Sequence, residues 1–225
     1  MTKTGMGGEF QGLARIALAL TLVLIDAVML QGQQDRTTVA KPSARQTLVQ
    51  FEETAKSGSA SLSWMLRHPE KYSRATLDSV VDGLERLALE SKSDLVSSSA
   101  AAALASAGSI DRPLPGSLQR TLAVYKRSES GLVRRVVLGL MHNQHDRAGA
   151  IVFLKSVASQ DPARPDFADA PLEAVSTLSY MGLQGRIALS ELRSQGVLRD
   201  PAAKGFVDWY FAPRSGRMKP KPPTR

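Results

Sequence analysis

The sequence predicts an all-α protein: a short α-solenoid of three to four antiparallel helix pairs, behind an N-terminal signal-like segment. Three observations support this fold class. Apolar residues recur at intervals of three and four, as they do on one side of a helix. Gly, Pro and Asp interrupt the chain at short intervals, so the helices are brief. Finally, one apolar column returns after 36 residues and again after 38, which indicates a repeated helix pair.

Composition agrees with helices and removes several functional classes. Hydrophobic residues make up 43% of the chain, but aromatic residues only 5%. Because strands favour aromatic and β-branched residues in alternation, this composition argues against a sheet. The chain has no cysteine, which excludes a disulfide framework, a thiolate metal site and a cysteine nucleophile.

The net charge of +8 is unevenly distributed. Residues 1–34 are neutral overall, whereas residues 214–225 carry five basic side chains and no acidic one. This leaves only +3 for the rest of the chain, an ordinary value for a folded body. Nucleic acid is therefore not the expected partner.

Residues 1–32 resemble a secretory signal. Lys3 and Arg15 precede an apolar run over residues 16–25, and a polar stretch follows. The run is shorter than the roughly 20 residues that a membrane-spanning helix needs. Cleavage is expected after Gly32, with Leu30 at the minus-three position in place of the usual small residue. We therefore expect an exported protein, periplasmic or secreted. An uncleaved membrane anchor and a buried core helix remain alternatives.

The body is predicted to begin after a polar linker over residues 33–45. Weak patterns suggest a helix over residues 47–55 and a short one around Met65. The clearest helix covers residues 73–91, because its apolar residues form one stripe: Leu77, Val80, Val81, Leu84, Leu87 and Ala88. Another helix follows over residues 95–107, with Asp94 expected as its N-cap and Gly108 at its end.

Further helices are predicted up to residue 212. Their apolar columns are Leu118, Leu122 and Tyr125; Leu132 to Leu140; Ala150, Leu154 and Val157; Leu172, Val175 and Leu178; and Ala188, Leu189 and Leu192. Asp200 and Pro201 open the last helix, since Asp caps and Pro fits the first turn. Its closing residues, Trp209 to Phe211, are expected to cap the C-terminal end of the stack and not to anchor a partner. Residues 213–225 are basic and proline-rich, which predicts a disordered tail.

The second helices of successive pairs share one column. Leu104, Leu140 and Leu178 align as its last members, after Val96 and Ala100, Leu132 and Val136, and Ala170 and Ala174. Gly108 and Gly182 close two of the three copies. This pattern resembles HEAT and HEAT-like repeats, whose second helix commonly begins with a Val-Arg pair, as at Val133-Arg134 here. The other copies have Ser97-Ser98 and Pro171-Leu172 at that place. The resemblance covers residues 73–211; a non-repetitive helical bundle is the alternative.

HEAT-like repeats share no catalytic residues, so the resemblance implies a binding module. In proteins of this kind the second helices usually line the concave side of the solenoid. That location would make four residues candidates for partner contact: Arg134, Arg135, Glu173 and Tyr180.

No residue pattern in the sequence predicts a catalytic or metal site. His142 and His145 lie near Asp146 and could contribute to a zinc site, but their position fits a helix end, with Asp146 capping the next helix. Asp161, Asp166 and Asp169 are ascribed to turns and caps, because their loop lacks the ligand alternation of a calcium site. Motifs for hydrolases, metalloproteases and phosphate or dinucleotide binding are absent from the sequence. We therefore expect no catalytic, cofactor or metal residues.

The sequence thus predicts a non-enzymatic protein-interaction or scaffold module of the cell envelope or periplasm. This module is expected to bind a protein or peptide on the concave surface of a helical solenoid. The alternatives are a protein that binds nucleic acid or another polyanion through a basic surface and the tail, and a helical enzyme of unknown type. Membrane contact is expected only through an uncleaved N-terminal segment.

Overall fold

A computed structural model describes residues 42–58, 62, 65, 68–108, 114, 116–160 and 168–213. These residues form nine α-helices and two short 3-10 segments, and none of them lies in a strand, so the all-α prediction is confirmed. Among the described helices, none is long and apolar enough to cross a membrane. The predicted export signal and basic tail lie outside the described residues.

The nine helices follow one another with short connections. In chain order they are α1 (Ala44–Lys56), α2 (Arg74–Glu90), α3 (Asp94–Ala107), α4 (Ser117–Arg127), α5 (Gly131–Leu140), α6 (Arg147–Ala158), α7 (Ala170–Ser179), α8 (Gly182–Gln195) and α9 (Pro201–Phe211).

Hydroxyl and carboxylate caps determine where most of these helices begin. Ser43 and Gln46 form a capping box, in which the Ser43 N–H donates to Gln46 Oε1 at 2.9 Å. Helix α1 therefore begins at Ala44, inside the stretch predicted as linker. The N-cap of α3 is Ser93 and not Asp94, because the Ser93 hydroxyl accepts from the Val96 N–H. Asp146 and Asp200 cap α6 and α9, as predicted.

The helices pack in a regular order. Each odd-numbered helix from α3 onward contacts the next odd-numbered helix: α3 contacts α5, α5 contacts α7, and α7 contacts α9. Even-numbered helices pack beside them, α2 against α3 and α4, and α6 against α7 and α8. Helix α1 covers one end by packing on α2 and α3. One continuous core cluster extends from Phe51 in α1 to Val207 in α9.

The buried column of the odd-numbered helices has a constant spacing. Each of α3, α5 and α7, with the 3-10 segment that begins at Met141 directly after α5, contributes three residues that are at most 3% exposed: Val96, Ala100 and Leu104; Val133, Val137 and Met141; Ala170, Ala174 and Leu178. Both steps are 37 residues. The predicted middle copy was therefore wrong by one residue, because Leu132 is 44% exposed and Leu140 only half-buried. Helix α5 is apolar on two adjacent sides, and the way it packs on the core buries Val133 and leaves Leu132 exposed.

The even-numbered helices show a similar recurrence. Val81, Leu118, Leu154 and Leu189 are all buried, and they follow one another after 37, 36 and 35 residues. The residues four positions earlier are also buried and recur with the same spacing: Leu77 in α2, Leu114 before α4, Ala150 in α6 and Gly185 in α8. Both members of a helix pair therefore repeat, not only the second.

Two turns that connect paired helices are nearly identical in sequence and hydrogen bonding. Residues 91–96 read SKSDLV and residues 128–133 read SESGLV, again 37 residues apart. In each turn the first serine hydroxyl accepts from the N–H of the second serine, at 3.2 Å in both cases. The second serine then caps the following helix at N3. The same six-residue signal thus ends one helix and begins the next in two copies.

The last described helix, α9, carries a half-buried aromatic cluster. Phe206, Tyr210 and Phe211 pack against the core, and the Phe206 ring lies 5.7 Å from that of Trp209. The guanidinium of Arg193 lies 5.7 Å from the Phe211 ring and also pairs with Asp208 at 3.0 Å.

Candidate protein-binding surface

Helices α5 and α7 bring an ion pair and a second carboxylate onto one surface. Arg135 Nη2 lies 3.2 Å from Asp169 Oδ2, and Glu173 follows Asp169 by one turn. Asp169 was ascribed to capping from the sequence, but its side chain makes no cap hydrogen bond. The carboxylate instead pairs with Arg135, and this contact joins α5 to the residue that precedes α7.

Glu173 is the perturbed titratable group of this surface. Burial raises the pKa of its carboxyl above its ordinary value, with Asp169 adding to the rise and Arg135 opposing it. Glu173 lies close to Gly139 of α5: a Cβ added at Gly139 would be 3.7 Å from Glu173 Oε1, an ordinary van der Waals contact. A partly desolvated carboxylate gains from a hydrogen-bond donor, and a partner could supply one.

Tyr180 projects from the end of α7 and is 73% exposed. Its ring centroid lies 6.0 Å from that of His142, with the rings tilted by 50°. His142 Nδ1 is 2.7 Å from the Gly139 carbonyl oxygen, which holds the imidazole at the end of α5. Exposed tyrosines supported in this way are typical of protein interfaces, because the ring offers apolar area and a polar tip.

Arg134, also a predicted contact residue, lies elsewhere. It is half-buried and its charge acts on Tyr125 of α4. Burial raises the pKa of Tyr125 to about 12, against the opposing effect of Arg134, and the Tyr125 ring stands edge-on to Phe153 at 4.9 Å. Consecutive helix residues point about 100° apart, so Arg134 faces the even-numbered helices while Arg135 faces the surface.

The surface continues over α3 with small, uncharged residues. Ser98 and Ala102 occupy the places of Arg135 and Gly139 one repeat earlier, by the 37-residue spacing. At the edge, Leu95 and Leu132 hold equivalent positions and are 52% and 44% exposed. We call the surface formed by Leu95, Leu132, Arg135, Asp169, Glu173 and Tyr180 the odd-helix face.

No cofactor or metal chemistry emerges from the part of the chain that the structure describes. Within it, no three His, Asp or Glu residues are grouped so that they could hold a metal ion. His145, considered a ligand from the sequence, is exposed and its backbone N–H donates to the Gly108 carbonyl at 2.8 Å. No protein-family model, curated protein or solved structure matches the chain.

Proposed function

We propose that the chain is a short HEAT-like solenoid that binds a protein partner on its odd-helix face and has no catalytic activity. The constant 37-residue spacing of the buried column supports the solenoid. So does the chain of contacts from α3 through α5 and α7 to α9, because in a solenoid each repeat packs on the next. In this arrangement the odd-numbered helices form one layer, and their outer side is the binding surface.

The exposure of Tyr180 beside the ion pair is the observation that carries the functional proposal. A 73% exposed aromatic ring, resting on His142, lies on the same face as Arg135, Asp169 and the partly desolvated Glu173. Leu95 and Leu132 add exposed apolar area at the edge. Aromatic and arginine side chains dominate binding energy in protein interfaces. The complementary partner surface carries hydrogen-bond donors for the two carboxylates and apolar side chains for the leucines.

We also propose that the protein acts in the cell envelope or outside the cell. The signal-like residues 1–32 are the basis of this proposal. Mass spectrometry of the protein from the native host should find a chain that begins near Gln33 in the envelope or exported fraction. An intact Met1 in a soluble cytoplasmic fraction would contradict export.

Site-specific photocrosslinking tests the binding face. A photoreactive amino acid placed at Tyr180 should form a covalent adduct with one partner protein in the native host. The same amino acid at Gln184 is the matched control, because Gln184 is exposed and lies on the neighbouring, even-numbered helix α8. The adduct from position 180 should disappear when Arg135→Glu is introduced. This substitution removes the cation beside Asp169 and Glu173 and adds a third carboxylate, so the charge of the face no longer matches that of the partner.

Adducts of equal yield from both positions would contradict a specific odd-helix face. Adducts with nucleic acid from position 180, weakening steeply with added salt, would favour polyanion binding instead.

A further inference from the structure

A polar cavity lies between the two serine turns. Its volume is about 450 Å³, within the range of roughly 300–1,000 Å³ common for ligand sites. The ends of α2 and α4 and the starts of α3 and α5 line it, and it is partly open to solvent. Its lining residues are Ala88, Leu89, Ser91, Asp94, Ser97, Arg127, Ser128, Glu129 and Ser130. It lies at the turns between paired helices, and none of the residues that define the odd-helix face lines it.

The lining offers hydrogen-bond acceptors in excess. Asp94 and Glu129 each contribute a carboxylate. Among the described residues, no cation lies within ion-pair distance of either one. Arg127 is the one cation in the lining, and its Nη1 already pairs with Glu85 at 3.2 Å. The lining therefore has a negative balance in a chain of net charge +8.

The serine oxygens and the end of α2 add neutral acceptors. Ser97 and Ser128 line the cavity and are 3% and 4% exposed. The Ser97 hydroxyl donates to the Asp94 carbonyl at 3.2 Å, and the Ser128 oxygen accepts from the Ser130 N–H, so each oxygen still has acceptor capacity. Ala88 and Leu89 belong to the last turn of α2, where backbone carbonyls have no partner within the helix. An ammonium group has three donors and no acceptor, and it matches this set in both charge and hydrogen bonding.

We propose that this cavity binds a primary ammonium group, with Asp94 and Glu129 as its charged ligands and the serine oxygens as neutral ones. Such a group occurs on a free alkylamine and on a lysine side chain of a peptide. Both sources share the chemistry, and the experiment separates them. The proposal is independent of the partner on the odd-helix face.

The test is titration calorimetry on the full chain with two probes, 1,4-diaminobutane and a lysine-containing tetrapeptide with blocked ends. At least one should bind at a single site, and the tighter of the two identifies the source. Butyltrimethylammonium keeps the charge but has no N–H, so it should bind at least about threefold more weakly. Asp94 and Glu129 are both exposed, so each of Asp94→Asn and Glu129→Gln should weaken binding about two- to fivefold, the range for exposed ion pairs.

Glu53→Gln is the matched control, because Glu53 is an exposed carboxylate on α1 and does not line the cavity. It should leave the affinity unchanged, and circular dichroism should show that all three variants keep the fold. Three outcomes would overturn the proposal. They are no binding of either probe at millimolar concentration, binding that Asp94→Asn and Glu129→Gln leave unchanged, and tighter binding of Ca²⁺ than of either amine.

Discussion

The 37-residue register can be tested by truncating two neighbouring residues, Met141 and Leu140. Met141 is fully buried, at the position equivalent to Leu104 and Leu178, whereas Leu140 is half-buried. Truncation of a fully buried methionine or leucine to alanine costs about 2–5 kcal/mol of unfolding free energy, because lost burial and a residual cavity add. For Leu140 only part of the side chain leaves water on folding, so the cost should be about 1 kcal/mol.

Urea unfolding followed by circular dichroism measures both costs. In a domain of this size each kcal/mol shifts the melting temperature by about 2–4 °C, so Met141→Ala should lower it by roughly 5–15 °C. The slope of the unfolding curve with urea should stay constant, which would show that both variants unfold from the same compact state. If Leu140→Ala costs as much as Met141→Ala or more, the register and the repeat derived from it are wrong.

Three further predictions concern a close helix contact, a titrating group and the tail. Gly185→Ala should lower stability by more than about 1 kcal/mol, because the added Cβ would overlap the Leu178 carbonyl oxygen. Gly205 has open space around it, so Gly205→Ala should raise stability by about 0.5–1 kcal/mol. Thermal melts measure both effects. Glu173→Gln should gain stability relative to wild type as pH rises from 4 to 7. Burial raises the pKa of the Glu173 carboxyl on folding, so the wild-type protein loses stability as pH rises through that pKa, whereas glutamine does not titrate. Urea unfolding at both pH values measures the difference between the two proteins, and the same difference at pH 4 and pH 7 would contradict the prediction. Deletion of residues 214–225 removes five positive charges and should therefore lower the affinity for heparin resin. The melting temperature should hardly change. A melting temperature lower by several degrees would mean that the tail packs on the body.

Local patterns predicted the helices well, because capping and apolar periodicity are properties of a few consecutive residues. The helix at residues 73–91 and the Asp200 cap are examples. The phase of α5 could not be predicted in this way, since Leu132 and Val133 are both apolar and only packing distinguishes them. The repeated serine turns were visible in the sequence. They lie between the apolar columns that predicted the repeat, so those columns did not include them.

The candidate surface was predictable only in part. Its expected location on the second helices followed from the resemblance to HEAT-like repeats, and partner contact by Arg135, Glu173 and Tyr180 stays a prediction. The ion pair between Arg135 and Asp169 joins residues 34 positions apart, and the different direction of Arg134 depends on how α5 is rotated against the core. Neither is encoded in local sequence. The cavity between the serine turns likewise depends on the packing of α2 against α4 and of α3 against α5.

The spacing of the repeats themselves is the most direct test of the proposed architecture. The chain has no cysteine, so Leu95→Cys, Leu132→Cys and Asp169→Cys can be introduced in pairs and spin-labelled. These positions are equivalent in α3, α5 and just before α7, and all three are exposed. Packed helix axes lie about 10 Å apart, so a solenoid places positions 95 and 169 about 10 Å farther apart than positions 95 and 132. Electron paramagnetic resonance should find that difference; equal distances for the two pairs would show a closed bundle and contradict the stacked repeat.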